Sequence, residues 1–499
     1  MRFLFFFIVF FSFCNLFLME VLGEDVKAKP NIVFILADDL GVMDIGAFNP
    51  NTFYETPNID RLALEGMKFT TAYAACCVCS PTRYSIMTGR YPVRSGITNF
   101  LAGKRSERFE PATLDLFMPL EETTLGEAFH EADYKTALLG KWHLGNPNEY
   151  GPQLQGFDVV SGDIRHINPS ITNLSLPNLP PINPKTSATV IETRTTRITD
   201  EALLVLEAFK ESPFLLYLSF YQVHVPLGTS EEYVAPYRDK KQKLNLQNNE
   251  TRDFIEEEQV HLSNQPRKSR CRQNHEIYAG MITHTDACVG RVLAKLRELR
   301  LEENTIVVFM SDNGGLATAE GSPTSNLPFR TGKGWNYEGG IREPLIIRWS
   351  KTVQAGCVCD VPVISTDFYP TLLELAGLPP KPEQHLDGVS FAPLLKGENM
   401  LQKHDAFFWH YPHYSNQGGF PSSAVRMGDY KLIQRLEDGR VHLFNVTEDQ
   451  GEQTDLAEKM PEKTAELQQR LFQWYQDTNA RFLEPKNGQT PWKPQYKIK

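Results

Sequence analysis

The sequence predicts an α/β protein built on a large, mostly parallel sheet, and two observations lead to this prediction. Four short apolar runs, rich in β-branched and aromatic residues, have the length of strands that are buried on both faces. They cover residues 31–37, 135–139, 214–220 and 305–310. Segments with helical periodicity, such as 202–210 and 277–299, lie between the runs. Alternation of strands and helices along the chain is typical of α/β folds.

Polar side chains that could take part in catalysis or ligand binding follow each of the four runs. They are Asp38 and Asp39 after the first run, Lys141 and His143 after the second, His224 after the third, and Asp312 and Asn313 after the fourth. Ligands of open α/β sheets bind outside the carboxyl ends of the strands. We therefore expect these side chains to meet at one edge of the sheet.

The remaining chain predicts a smaller C-terminal α+β subdomain that carries an antiparallel sheet. Residues 424–434 and 440–446 read as strands, and 461–478 reads as a helix. We place the main domain at 24–397 and the subdomain at 398–499. A polar insertion at 230–272 reads either as a solvated helix or loop, or as a lid over a binding site.

The first residues have the pattern of an export signal. A Phe- and Leu-rich run follows Met1 and Arg2, and small residues near position 23 precede two acidic residues. This predicts a signal peptide at 1–23 and a secreted or periplasmic protein. An uncleaved N-terminal anchor is the alternative, although the run is short for a membrane span. No other segment is expected to span a membrane once the signal is removed.

Composition excludes some classes of partner. The chain has 499 residues, which is long enough for one large core or two domains. Its 51 Lys and Arg against 61 Asp and Glu give a formal net charge of −10. No general nucleic-acid surface is therefore expected, and an anionic substrate would have to be held by local cations.

The segment Cys79-Ser80-Pro81-Thr82-Arg83, which runs on to Thr88-Gly89-Arg90, is the strongest motif. Proline is tolerated in the first turn of a helix, so the motif predicts a helix that begins at position 79. Backbone amides and the helix dipole favour negative charge there. Arg83, four residues on, lies on the same helix face as position 79. The alternative is a buried cysteine beside a surface arginine.

Asp38, Asp39, Asp312 and Asn313 together offer three carboxylates and one amide oxygen. Such an all-oxygen set selects a hard cation, Ca²⁺ or Mg²⁺, over zinc. The alternative for the Asp pair is an ordinary turn after a strand.

Three motifs in this order resemble type I sulfatases. They are the C-x-P-x-R-x-x-x-x-T-G-R stretch from Cys79, the G-K-x-H element from Gly140, and the Lys333 loop that leads into residues 337–344. The resemblance covers residues 31–377 and is greatest to bacterial carbohydrate sulfatases and the N-acetylgalactosamine-6-sulfatase/arylsulfatase A group. It implies an alkaline-phosphatase-like fold, with the large sheet between layers of helices, and hydrolysis of sulfate esters.

The resemblance also implies two features that the chain does not encode. Cys79 would be oxidised to formylglycine (3-oxoalanine) by a formylglycine-generating or anaerobic sulfatase-maturating enzyme. Position 79 would then join Asp38, Asp39, Asp312 and Asn313 as a ligand of a metal ion, and the resemblance favours Ca²⁺ over Mg²⁺.

Catalytic roles follow from the same resemblance. The hydrated aldehyde at 79 attacks sulfur, and Lys141 and Arg83 hold this nucleophile. His224 and Lys333, together with Lys141, bind the sulfate group. His224 and Lys333 also help to protonate the leaving alcohol. His143 takes the proton from the remaining hydroxyl, which releases sulfate.

The substrate side is predicted less directly. We expect a sulfated saccharide, and we expect Arg330, His410 and His413 to line its pocket. The alternative for the two histidines, which lie in an aromatic segment, is a packing cluster.

Two other functions compete with sulfate ester hydrolysis. One is a phosphatase, phosphodiesterase or phosphonate hydrolase of the same superfold. Zinc phosphatases of that superfold would need more His and Asp ligands and a Ser or Thr nucleophile, and Cys79 argues against them. The other is a non-enzymatic glycan-binding relative, which would be expected to lack at least one of the predicted site residues.

Overall fold

Sixteen strands are found in the part of the chain that the computed structural model describes, which comprises residues 29–176, 190–257, 267–400 and 404–495. The predicted signal at 1–23 lies outside these residues. The strands are β1 (Asn31–Ala37), β2 (Met67–Tyr73), β3 (Lys135–Gly140), β4 (Val159–Gly162), β5 (His166–Ile167), β6 (Phe214–Ser219), β7 (Phe254–Glu256), β8 (Lys268–Arg270), β9 (Thr305–Ser311), β10 (Arg342–Arg348), β11 (Cys357–Cys359), β12 (Val363–Ile364), β13 (Phe407–Tyr411), β14 (Ser422–Met427), β15 (Tyr430–Arg435) and β16 (Val441–Asn445).

Helices connect and cover these strands. Those in the described residues are α1 (Pro57–Glu65), α2 (Cys79–Thr88), α3 (Leu125–His130), α4 (Pro147–Tyr150), α5 (Val190–Phe209), α6 (Glu231–Lys243), α7 (Glu250–Asp253), α8 (Glu276–Glu298), α9 (Glu338–Ile341), α10 (Phe368–Leu375), α11 (Ala392–Leu395) and α12 (Pro461–Asp477).

The large sheet has 10 strands in the order β11-β2-β10-β9-β1-β6-β3-β4-β5, with β12 pairing with β2. The four apolar runs of the sequence form its centre, as β9, β1, β6 and β3, and these neighbours are all parallel. Strand β10 runs antiparallel to both β9 and β2. The prediction of a large, mostly parallel sheet is confirmed.

The central strands are buried on both faces because helices cover the sheet from both sides. Along β1, Phe34 and its alternate neighbours pack into one apolar layer, and Val33 and Ile35 pack into the other. Residues of α2 and α10 contribute to the first layer, and residues of α5 and α8 contribute to the second. Continuous rather than alternating apolar runs are the sequence pattern that such strands require.

The C-terminal part contains a second sheet, as predicted. Its four antiparallel strands follow the order β13-β14-β15-β16, and α12 packs against β14 and β15. A shared apolar cluster, which includes Tyr73 and Trp335 together with Leu432 and Trp474, joins this sheet to the main body. The C-terminal sheet is therefore held to the large sheet by a continuous core.

The polar insertion at 230–272 contains α6, α7 and the hairpin β7–β8. Helix α6 packs on α8, and its Val234 and Tyr237 side chains are buried. In the described residues, no helix combines the length and apolar character that crossing a bilayer requires.

Candidate active site

The carboxyl ends of the central strands open into a cavity of about 470 Å³. The register places Ala37 of β1 beside Ser311 of β9, and Gly140 of β3 beside Ser219 of β6. The residues that follow each strand therefore reach the same edge, as expected. Six of the predicted site residues line this cavity: Asp38, Cys79, Lys141, His143, His224 and Lys333.

Position 79 is the first residue of α2, and its side chain is buried. The residue before it, Val78, has extended backbone, and Pro81 lies in the first turn of the helix. The Sγ atom of Cys79 lies 3.3 Å from Nδ1 of His143. Burial raises the pKa of the Cys79 thiol, an effect that Lys141 partly opposes. The helix start thus delivers residue 79 to the cavity floor, as the motif predicts.

Arg83 joins α2 to the end of β9. Its Nε and Nη2 atoms donate to Oδ2 of Asp312 at 3.0 and 2.6 Å. Its Nη1 atom donates to the Lys141 carbonyl at 3.0 Å and to Ser219 Oγ. Burial and the Asp38 charge raise the pKa of Asp312 above its ordinary value. The hydrogen bonds of Arg83 thus fix Asp312 and the Lys141 backbone, and through them the surroundings of position 79.

Each of the two site lysines is paired with one carboxylate. Lys141 Nζ donates to Asp38 Oδ2 at 2.5 Å, and Lys333 Nζ donates to Asp39 Oδ2 at 2.8 Å. Burial alone would lower the pKa of both lysines, but the neighbouring Asp charges raise it, so both remain protonated. Burial alone would likewise raise the pKa of Asp38, and the charges of Lys141 and His224 bring it well below its ordinary value.

The two histidines differ in their surroundings. Burial and the charge of Lys141 hold the pKa of His143 well below its ordinary value, so its ring is neutral. His224 is partly exposed, and its Nδ1 lies 2.7 Å from the carbonyl oxygen of Val225. A carbonyl only accepts, so Nδ1 carries the proton of that bond. The other ring nitrogen, Nε2, lies 3.7 Å from Asp39 Oδ2.

Two buried oxygen atoms in this cluster test whether a metal ion fits. Asp38 Oδ1 and Asn313 Oδ1 are buried and have no hydrogen-bond donor in the described structure. Asn313 Nδ2 donates to Asp39 Oδ1 at 2.8 Å, which fixes the orientation of the amide. Potential ligand atoms of Asp38, Cys79 and Asp312 lie within 4.8 Å of one another. Orphaned oxygens are costly, and a hard cation would satisfy both. The residues present therefore fit a hard divalent cation.

The predicted substrate rim is not found at this cavity. Arg330 binds Glu257 at 3.1 Å, stacks 4.0 Å over the ring of Tyr337, and lines a separate cavity of about 180 Å³. His410 lies between Ser423 Oγ and the Arg481 carbonyl, each at 2.7 Å. His413 is bound to Thr98 Oγ1 at 2.7 Å. Both histidines are buried in an aromatic cluster, so the packing alternative describes them.

Sequence reasoning missed the side chains that form the outer part of the cavity. They are Phe100, Asp163, Arg194, Tyr221, Glu320, Asn416 and Gln417. Asp163 and Tyr221 follow β4 and β6 closely, so the strand-end argument that found His224 could have found them. No described residue of 230–272 lines the cavity, so the lid alternative has no support there.

The fold and the site together define a hydrolase for anionic esters, with buried cations and carboxylates around a candidate nucleophile at a helix start. The sulfatase family model matches residues 30–378, and this chain belongs to the sulfatase family. It is a sulfuric ester hydrolase. A second model, the C-terminal region of N-sulphoglucosamine sulphohydrolase, matches residues 331–479.

Relatives with curated names agree with this assignment. N-acetylgalactosamine-6-sulfatase of Mus musculus is 32% identical and aligns with 83% of this chain and 73% of its own length. A sulfatase of Formosa agariphila is 30% identical over 92% of this chain and 90% of its own. Steryl-sulfatase of Homo sapiens is 32% identical over 80% of this chain and 75% of its own length.

Solved structures show the same fold. Ps i-CgsB, crystallised with k-i-k-neocarrahexaose, has a TM-score of 0.68 and 28% identity, covering 90% of this chain and 93% of its own. The phosphonate monoester hydrolase of Agrobacterium radiobacter has a TM-score of 0.61 and 19% identity, covering 94% and 100%. The latter likeness concerns the fold alone, so the phosphatase or phosphonate hydrolase alternative is less supported than the sulfatase assignment.

We expect His410→Ala to reduce stability and to leave the KM for substrates unchanged. The change removes two buried hydrogen bonds and costs about 2 kcal/mol of unfolding free energy. Burial lowers the pKa of His410 from 6.5 to about 4 in the folded protein. The unfolded chain therefore binds the proton first, and the wild type loses stability as the pH falls from about 6.5 to 4. The stability of the variant should lack this part of the pH dependence.

Urea unfolding between pH 4 and 7, alongside steady-state kinetics, measures both effects. The control is His130→Ala, because half of that side chain is exposed. A raised KM for saccharides without a loss of stability would restore His410 to the substrate pocket.

Proposed function

We propose that this sulfatase depends on formylglycine at position 79 and on Ca²⁺, and that it acts on a sulfated saccharide. The observation that carries the proposal is that Cys79, Lys141, Lys333 and Asp38 line one cavity, and that Asp38 and Asn313 each carry a buried oxygen without a hydrogen-bond donor. The proposed catalytic set is Cys79, Arg83, Lys141, His143, His224 and Lys333. The proposed metal ligands are Asp38, Asp39, Asp312, Asn313 and residue 79.

The Cys-x-Pro-x-Arg sequence supports modification of Cys79 by a formylglycine-generating or anaerobic sulfatase-maturating enzyme. As its hydrate, formylglycine supplies one hydroxyl that attacks sulfur and a second hydroxyl whose deprotonation leads to release of sulfate. The backbone at the start of α2 places this residue where developing negative charge is favoured.

A hard cation would be held by the carboxylates after β1 and β9, and it would satisfy the orphaned oxygens of Asp38 and Asn313. It supplies positive charge that offsets the repulsion between a nucleophile and an anionic ester. Ca²⁺ accepts an irregular set of oxygen ligands more readily than Mg²⁺ does.

The side chains of the cavity carry the remaining work. Lys141 and Lys333 bind sulfate oxygens through their ammonium groups, whose positions are set by Asp38 and Asp39. Such preorganised cations stabilise charge in the transition state. The role assigned to His224 is to pass a proton from Nε2 to the departing alcohol oxygen while Nδ1 stays bound to the Val225 carbonyl. His143 is neutral, and its Nδ1 atom is positioned to accept a proton from residue 79.

The outer cavity supports a saccharide substrate. It presents Asp163, Arg194, Glu320 and Gln417 beside the ring of Phe100. An aromatic ring and several hydrogen-bonding groups suit a sugar, whereas an apolar substrate would remove water from these polar groups without replacing its hydrogen bonds. The solved relative Ps i-CgsB was crystallised with an oligosaccharide.

Export through the segment 1–23 and the division into a catalytic domain at 24–397 and a subdomain at 398–499 are part of the same proposal. The start of the second sheet at Phe407 supports the boundary. A secreted or periplasmic location follows from export. N-terminal sequencing of protein from an exporting host tests the signal, and an unprocessed N-terminus on a membrane-bound protein would favour the anchor instead.

We expect turnover of sulfated mono- or disaccharides and little or none of steroid sulfates. The reason is the group of charged and amide side chains in the outer cavity, which an apolar ring system would desolvate. Release of inorganic sulfate from a panel of defined saccharides, an aryl sulfate and a steroid sulfate measures this. Efficient turnover of the steroid sulfate with none on the saccharides would overturn the substrate proposal. The steroid sulfate is included because a human steryl-sulfatase is among the relatives.

Ca²⁺ should raise the melting temperature of the wild type, and Asp38→Ala should abolish this rise. Binding to the folded state at a hundredfold excess over Kd stabilises by about 2.7 kcal/mol. Calorimetric melts after chelation, with Ca²⁺, Mg²⁺ or Zn²⁺ added back, measure the effect. Asp405→Ala is the control, because that carboxylate is largely exposed and pairs with Arg470. Stabilisation and activity that return only with zinc would contradict the oxygen-ligand argument.

Cys79→Ser should fold but release at most one equivalent of alcohol. Serine is well accepted at a helix start, so the fold should persist. The serine oxygen can attack sulfur, but the product lacks a second hydroxyl from which His143 could take a proton. The mass of the peptide that contains residue 79, before and after substrate, should show the aldehyde in the wild type and a trapped sulfate in the variant. Cys357→Ser, a change on the partly exposed strand β11, is the control. Sustained turnover by the serine variant, made in a host that cannot oxidise serine at this position, would exclude the formylglycine mechanism.

A further inference from the structure

One cation of the cavity is left over after the proposed sulfate chemistry is assigned. Arg194, in the first half of α5, lines the same cavity as Lys141 and Lys333. Those lysines are each paired with an aspartate. Arg194 forms no ion pair with any carboxylate of the described residues. By contrast Arg197, three residues along the same helix, is paired with Glu201 at 3.3 Å.

The guanidinium of Arg194 is nevertheless positioned. It lies over the ring of Tyr221, with 5.3 Å between the guanidinium carbon and the ring centroid. The Tyr221 hydroxyl donates to Asp163 Oδ1 at 2.9 Å, and the other oxygen of Asp163 accepts from the Trp142 backbone at 3.1 Å. The ring that supports Arg194 is therefore tied to the segment that carries Lys141 and His143. Stacking of this kind limits the mobility of an arginine while leaving its hydrogen-bond donors free.

The two acids that share the outer cavity with Arg194 have other partners. Both oxygens of Asp163 accept the hydrogen bonds from Tyr221 and Trp142. Glu320 accepts from Gln417 Nε2 at 2.9 Å. A positioned, partly exposed arginine beside an anion-binding floor, in a chain of net charge −10, thus has its fork of donors available to a ligand.

We propose that Arg194 binds a second anionic group of the substrate, a sulfate or a carboxylate, separate from the sulfate that is hydrolysed. This inference rests on the proposed saccharide sulfatase function and narrows its substrate class to sugars with at least two negative charges. The contact is made before and during the reaction alike, so it should act through KM rather than kcat.

The experiment compares wild type, Arg194→Ala and Arg194→Lys on four kinds of substrate. They are an aryl sulfate, monosulfated hexosamines, disulfated hexosamines with the second sulfate at different positions, and a monosulfated disaccharide with a hexuronate. The last two kinds distinguish a sulfate from a carboxylate as the second anion. Arg291→Ala is the matched control, because Arg291 is outside the cavity and pairs with exposed Asp200.

Arg194→Ala should lower kcat/KM for at least one doubly anionic substrate about tenfold more than it lowers kcat/KM for the aryl sulfate and the monosulfated hexosamines. Most of this difference should lie in KM. The kcat/KM of Arg194→Lys on that substrate should lie between the values for the wild type and Arg194→Ala, because lysine retains the charge without the planar fork of donors. Added salt should reduce the difference. The control should leave all ratios unchanged, and melting curves should show that each variant is folded.

Equal losses on singly and doubly anionic substrates, or no loss on either, would overturn the assignment of Arg194 while the sulfatase proposal stands. Absence of wild-type turnover on every saccharide would instead overturn the saccharide proposal and this inference with it.

Discussion

Charge balance at the carboxyl edge of the sheet is the constraint on which the rest of the site depends. Three aspartates, Asp38, Asp39 and Asp312, are buried side by side, and removing such charges from water is expensive. Three cations compensate them: Lys141, Lys333 and Arg83. Each pair joins two different segments of the chain. The loops after the strands are therefore not free to vary independently, and loss of one partner would leave a buried charge on another segment.

The backbone meets this constraint by close packing that side chains would prevent. Gly140 has φ 109, and a Cβ there would lie 1.8 Å from the Ser219 carbonyl oxygen. A Cβ on Gly314 would lie 1.9 Å from the Gly339 carbonyl oxygen. The glycines of the Gly-Lys-x-His and Asp-Asn-Gly elements thus let the chain turn directly at the strand ends. Without them Lys141 and Asp312 would be displaced from the partners that neutralise them.

This explains why so much of the inner site was predictable from the sequence and so little of the outer one. Strand ends in a parallel sheet meet at one edge, so Asp38, Lys141, His224 and Asp312 could be placed together from the apolar runs and the helical segments between them. The two histidines in the aromatic segment before β14 could not be placed in this way. The side chain of His410 depends on the packing of β13 against α12 and the loop near Arg481, and that of His413 depends on Thr98, and no local pattern reveals either contact. Arg194 gave no signal either, since a helical arginine near an acidic neighbour resembles any solvated surface position.

The cavity consequently has two parts: a floor that suits the reaction and an outer part that can determine the substrate. The floor is a closed, charge-balanced set whose geometry is tied to the sheet, and it suits the chemistry of an anionic ester in general. A phosphonate hydrolase with the same fold shows that this sheet does not by itself identify the ester. The outer part is built from Phe100, Tyr221, Glu320 and Gln417 on separate loops, together with Arg194, and these residues do not share the buried ion pairs of the floor. Such residues can change without exposing a buried charge, so the outer part is where substrate choice can diverge while the reaction is retained. The unpaired charge of Arg194 makes the choice of substrate electrostatic as well as steric. An uncharged group beside Arg194 would desolvate the guanidinium without compensation, whereas an anion would replace the lost water.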